Sequence, residues 1–173
     1  MAYYKPLPSL ERLREVFHVD CEGRLYWKCK PHSGVNVSRS RIGDQITRMG
    51  NGYFVVGIDG NVYRVHRIVW ALFNDQDPGN FQVDHINGDK TDNRPSNLRL
   101  CSNGQNQLNA KIRSNNKSGI KGVYFSPLKN GGSWHATYKG RKLGRFFTKE
   151  EAAKAVADAV AACSDKEFYR KGC

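Results

Sequence analysis

Apolar residues along the chain fall into short blocks whose period changes several times. Leu10, Leu13, Val16 and Phe17 follow Ser9 at spacings that line one face of a short helix. Arg24-Leu25-Tyr26-Trp27 is a brief aromatic run with strand character. Residues 52–58 and 62–65 are two further apolar runs, joined by Asp59-Gly60-Asn61, which has the turn residues of a hairpin. The stretch from Ser38 to Met49 is polar and basic and predicts an exposed connection. From His66 onward, Ile68, Val69, Leu72 and Phe73 have helical spacing, and the pattern stops before Asp77-Pro78-Gly79. Phe81-Gln82-Val83 then predicts another strand.

Residues 84–106 are rich in Asp, Asn and His. Apolar Leu98 and Leu100 mark a second strand beyond a loop around Gly88 and Pro95. Ser102 and Gln105 form a capping box that opens a helix containing Asn106 and Leu108. Strand, loop, strand and helix therefore follow in order. Residues 111–119 have too few apolar side chains for a core and predict a linker, with the domain boundary at 111–116. Beyond it, Gly122-Val-Tyr-Phe125, Trp134-His-Ala-Thr-Tyr138 and Lys142-Leu-Gly-Arg-Phe-Phe147 predict three short strands. Thr148 and Glu151 make a capping box ahead of Ala152, Ala153, Val156, Ala159, Val160 and Cys163, an amphipathic helix that can back a three-stranded sheet.

Charge narrows the class of partner. The 173 residues carry a formal net charge of +12. Lys and Arg on phosphates release condensed counterions, so a polyanion is favoured and double-stranded DNA is the expected partner. No apolar run is long enough for a membrane span and no secretory signal is visible, so an intracellular protein is expected, in the cytoplasm of a bacterial host if phage-encoded. Cys21, Cys29, Cys101, Cys163 and Cys173 include no Cys-x-x-Cys pair, which argues against a disulfide framework and a zinc knuckle.

The chemistry concentrates in Asp84-His85, Asn87-Gly88-Asp89, Asn97-Leu98-Arg99 and Asn106. This ordered set, over about residues 52–110, resembles the ββα-metal motif of HNH endonucleases of the phage and homing type. Arg64-Val-His66-Arg-Ile-Val69 also resembles the helix preceding that motif. The resemblance implies hydrolysis of a phosphodiester, which needs a base to take a proton from water and a cation to hold the phosphate. His85 is the expected general base, since histidine titrates near neutrality. Asp84 and the Asn106 carbonyl are the expected metal ligands. Their hard oxygens suit Mg²⁺, or Mn²⁺, better than Zn²⁺. Asn97 is expected to bond across the loop and hold His85 in one orientation. His66 is open between a phosphate contact and a buried helix-start residue, while His18, His32 and His135 have no motif context.

Ten Lys and Arg and no Asp or Glu lie between Lys111 and Lys149. Lys117-Ser-Gly-Ile-Lys-Gly122-Val123, Trp134-His-Ala136, Leu143-Gly-Arg-Phe146 and Thr148-x-x-Glu151-Ala-Ala153 together resemble the AP2 DNA-binding domain. That resemblance implies a sheet laid in the major groove. Strand alternation aims Lys121, Tyr124, Thr137, Lys139 and Lys142 at DNA, joined by Arg141 and Arg145, with Val123, Ala136, Tyr138 and Leu143 facing the helix.

The expected fold is α+β: an N-terminal HNH ββα-metal nuclease domain (1–110) and a C-terminal AP2-like three-stranded sheet plus helix (117–173). A monomer or weak dimer is expected, nicking one strand at a time. The competing reading is a non-catalytic DNA-binding regulator on a decayed HNH scaffold.

Overall fold

A computed structural model describes residues 5–29, 41–112, 114–128 and 131–169. Part of the predicted linker (Arg113), part of the predicted connection (38–40), His32 and Cys173 lie outside the described residues. The chain divides into two compact units, 1–102 and 103–173. The second unit therefore begins ahead of the predicted linker and takes in the helix after the motif.

In the first unit, helix α1 (Leu10–Val16) starts at Ser9, whose hydroxyl accepts from Arg12 N at 3.2 Å. Phe17, expected on this helix, instead opens strand β1 (Phe17–Val19), which pairs antiparallel with β2 (Leu25–Trp27). A second sheet contains β3 (Met49–Gly50), β4 (Tyr53–Ile58) and β5 (Asn61–Arg64) in that order. Asp59 and Gly60 both have positive φ, 48° and 75°, so the hairpin turns on these two residues and Asn61 already belongs to the strand. The predicted connection is exposed at 41–45 and 47–49, but Ile46 is buried and anchors it, and Met49–Gly50 pairs with Tyr53–Phe54.

Strand β5 runs directly into helix α2 (Val65–Asn74), whose Val65, Ile68, Val69 and Ala71 are almost fully buried. The core gathers this face with Leu13, Val16 and Phe17, the β2 residues Leu25 and Trp27, and Val56 and Ile58 of β4. At the 25–30 cal/mol/Å² usual for apolar surface, each such side chain contributes about 1.5–3 kcal/mol, so this core fixes the frame on which the motif rests. Strands β6 (Gln82–His85) and β7 (Leu98–Cys101) form a separate antiparallel pair, with Val83 and Leu98 in the same core.

The second unit opens with helix α3 (Asn103–Asn109), where Gln105 Nε2 donates to Asp165 at 2.9 Å. Strands β8 (Val123–Leu128), β9 (Gly131–Tyr138) and β10 (Arg141–Phe146) follow as an antiparallel meander with β9 central. Helix α4 (Lys149–Ala161) carries the predicted capping box: Thr148 Oγ1 accepts from Glu151 N at 3.2 Å, and Glu151 Oε2 accepts from Thr148 N. Ala152 and Val156 of this helix pack against Val123 and Ala136 of the sheet.

Candidate active site

Asp84 and His85 end strand β6 and are 8% and 4% exposed, a level of burial that polar groups tolerate only with partners. Each has one. Asp84 pairs with Arg99, opposite it in the β6–β7 register, through Arg99 Nε and Nη2 to Oδ2, both at 3.2 Å. The imidazole of His85 meets a buried amide oxygen, with Nε2 and Asn93 Oδ1 3.0 Å apart. A carbonyl oxygen only accepts, so Nε2 carries the proton and Nδ1 is the basic nitrogen of the ring.

The loop between the two strands holds itself together. Asn97, at the end of a single 3₁₀ turn (Pro95–Asn97), accepts from Asn87 N at 3.0 Å and donates to Asn87 Oδ1 at 3.1 Å and to the Asp92 carbonyl at 2.7 Å. It therefore crosses the loop, while Asn93 makes the direct bond to His85. Asp89 is occupied with Thr91, and Asp92 binds Arg94 and Asn87. The Arg94 guanidinium holds the Asp92 carboxyl down at about 2, so it stays anionic and paired within the loop.

With this geometry in place, similarity to known proteins becomes specific. Residues 63–108 match the family model described as HNH endonuclease. Protein 3.8 of Escherichia phage T7 is 31% identical over 94 residues, which is 54% of this chain and 76% of that protein. Two uncharacterized HNH endonucleases of Acanthamoeba polyphaga mimivirus are also similar. One is 34% identical over 111 residues, 61% of this chain and 56% of its own length. The other is 38% identical over 82 residues, 43% of this chain and 20% of its own length. Residues 63–108 are a domain of the HNH endonuclease family. No solved structure matches it.

The expected residues of the HNH site are distributed between the two units. Asp84, His85 and Asn97 lie in the first; Asn106 is half-buried on α3, which groups with the second. Among the described residues, no group of three or more His, Cys, Asp or Glu side chains is arranged to hold a metal ion. Asp84 is the acid that the motif strands themselves supply. One carboxylate completed by water and substrate phosphate is a set that a hard divalent cation accepts.

Two aromatic rings, His66 and Tyr53, stand against His85, and a third residue, Gly23, lies against Asn93. His66, open between two readings in the sequence, is 3% exposed in the first turn of α2, and its ring meets that of His85 edge-on, centroids 4.8 Å apart at 68°. Burial, with the nearby His85 and arginines, holds its pKa well below 6.5, and its Nδ1 has no hydrogen-bond partner among the described residues. Tyr53 contacts both imidazoles, at 5.1 and 6.0 Å between ring centroids. Gly23 is the third. Its φ is +72°, and a Cβ there would collide with the Asn93 carbonyl, so the β1–β2 turn lies directly against the backbone of the residue that orients His85. An aromatic in β4 and a glycine 70 positions upstream of Asn93 carry no local signal; only the packing brings them here.

In the second unit, the face of the sheet away from α4 presents Tyr124, His135 and Arg145 in one cross-strand row. Tyr124 and His135 stack with centroids 5.0 Å apart at 10°. Thr137 and Lys142 form the next paired row, and Arg141, Lys142 and Arg145 are exposed. Lys121 and Lys139 depart from the alternation. Lys121 precedes β8 and donates its ammonium to the carbonyls of Gln107, Leu108 and Ala110 at the end of α3. Lys139 sits in a left-handed turn, φ 51°, and pairs with Asp165 and Cys163. Alternation of faces holds only inside a strand, and both residues lie outside one. His135, without motif context in the sequence, belongs to this outer face.

Proposed function

We propose that the protein is a metal-dependent endonuclease that nicks duplex DNA, with His85 as general base and Asp84 and Asn106 as ligands of Mg²⁺ or Mn²⁺. The observation that carries this reading is the His85–Asn93 bond beside Asp84 at the end of β6. It selects the tautomer with a basic Nδ1, which is the form able to take a proton from water. The cation, when bound, supplies charge for the phosphate oxygens and leaving oxygen. Arg99 holds Asp84 in place for that role by facing it across the strand pair.

The second unit serves as the DNA-holding module of an AP2-like type, using Tyr124, Thr137, Lys142 and Arg145 on the outer sheet face, with the exposed Arg141 at the start of β10. Phosphate contacts there raise the concentration of DNA at a catalytically modest site. A homing-type role fits this pairing of a nicking site with a positioning module. One site per chain cuts one strand, so a monomer or weak dimer nicks.

A supercoiled-plasmid assay tests the reading. Relaxed circles should appear with Mg²⁺ or Mn²⁺ and vanish with EDTA. His85→Ala should bind DNA normally yet lose roughly 10²-fold or more in nicking rate. Wild-type nicking by that variant removes His85 from the chemistry. DNA binding without nicking under every divalent metal tried would favour the regulator reading.

A further inference from the structure

Tyr53 is the meeting point of two cations as well as two imidazoles. The guanidinium carbon of Arg64 stands 4.4 Å from its ring centroid and the ammonium of Lys90 4.7 Å. The two come from different elements, Arg64 from the last position of β5 and Lys90 from the loop between β6 and β7. Both are exposed, and neither is paired with a carboxylate among the described residues. The nearby loop acids are already engaged, Asp89 with Thr91 and Asp92 with Arg94. Lys90 is also laid down rather than extended into water: a Cβ on Gly52 would lie 3.6 Å from its Cδ.

The ground beneath these cations is positive too. Helix α2 begins at Arg64 with no side-chain cap and no acid in its first turn, so its partial positive charge is uncompensated. His66, in that same turn, keeps a buried Nδ1 without a partner among the described residues. Two like charges gathered over one aromatic ring, beside an uncapped ten-residue helix, form an arrangement that an anion completes.

We propose that Arg64 and Lys90, held over Tyr53, form a phosphate subsite that grips the DNA backbone beside the phosphodiester attacked at His85. This rests on the nuclease reading above. A diester phosphate offers two non-bridging oxygens, which a guanidinium engages with its planar fork and an ammonium as a point charge. The gripped phosphate is not the one that reacts, so its contacts are equal in ground and transition states. They act on KM rather than on kcat.

The test uses the full chain and two separate readouts. In EDTA, binding to a duplex of arbitrary sequence is followed against salt, where each phosphate no longer neutralised flattens the log–log slope by about 0.9. Arg64→Ala with Lys90→Ala should therefore flatten it by about 1.8. In Mg²⁺, the same double variant should raise KM for plasmid roughly tenfold and leave kcat at saturating plasmid within about threefold. Arg64→Lys with Lys90→Arg, which keeps both charges, should restore most of the slope. If alanine lowers the melting temperature, Arg64→Gln with Lys90→Gln replaces it. An unchanged slope, or a fall in kcat at constant KM, overturns the subsite. If the wild type nicks nothing with any divalent metal but the slope flattens as stated, the nuclease reading fails and the phosphate subsite stands.

Discussion

Asn93 reaches His85 from eight residues further along the chain, its Oδ1 3.0 Å from Nε2, with both side chains buried. This bond selects the tautomer, and its loss removes that selection from a ring still packed against His66 and Tyr53. Asn93→Ala should lower the nicking rate at saturating DNA by at least roughly tenfold, but less than the roughly 10²-fold of removing the base itself. DNA affinity in EDTA should not change. Single-turnover nicking alongside equilibrium binding checks both, and an unaltered rate would mean that His85 is held by other groups.

Asn97 acts one step further out. Its side chain makes three hydrogen bonds that close the motif loop, and it is 8% exposed. Truncation leaves buried donors and acceptors unpaired, so Asn97→Ala should destabilise the first unit by about 2–3 kcal/mol. On a unit of this size, that corresponds to a fall of roughly 10 °C or more in its melting temperature. Differential scanning calorimetry reads it directly. Asn97→Asp keeps the acceptor and should recover only part of the loss.

His66 makes the stability of the nuclease unit depend on pH. It stays neutral in the fold well below 6.5, while in the unfolded chain it protonates near that value. Below about pH 6.5 the unfolded state takes up a proton that the native state does not, so stability falls on acidification, by at most about 1.4 kcal/mol per pH unit. The fall continues until the lowered native pKa is reached. His66→Phe keeps a flat ring, removes the orphaned Nδ1 and should flatten the curve below about pH 6.5. Urea denaturation from about pH 4.5 to 8 compares the two; parallel curves would place the acid sensitivity elsewhere.

The outer face of the β8–β10 sheet should account for part of the salt dependence of binding. Lys142→Ala with Arg145→Ala removes two exposed cations from adjacent rows and should flatten the salt slope by about 1.8. Because these side chains belong to the second unit and not to the motif strands, kcat at saturating DNA should remain within about threefold. If the slope is unchanged, the face is a solvated surface and not a DNA-binding one.

The motif residues can be read from the chain because Asp84, His85, Asn97 and Asn106 stand in fixed order between recognisable strand and helix patterns. Their neighbours cannot. Asn93 lies in a loop whose path is set by Asn97 and Gly88, so its approach to His85 has no period or spacing to reveal it. His66 is visible as a helix-start residue, but its contact with His85 depends on how α2 and β6 pack into the same core. Tyr53 reads as one aromatic in a strand until Arg64 and Lys90 are brought over it. Lys121 and Lys139 illustrate the opposite failure. Alternation does not extend past the strand ends, where turn geometry and nearby carbonyls or Asp165 decide where a lysine points.

The contact between Gly23 and the Asn93 backbone reaches beyond local packing. It makes the first two strands, which lie outside the segment shared with the family, a buttress for the motif loop. A miniature enzyme trimmed to residues 63–108 would keep every residue of the motif and lose the wall against which Asn93 is set. Sequence drift in this N-terminal hairpin is correspondingly constrained at one point: any side chain at position 23 pushes on the loop, and through Asn93 on His85.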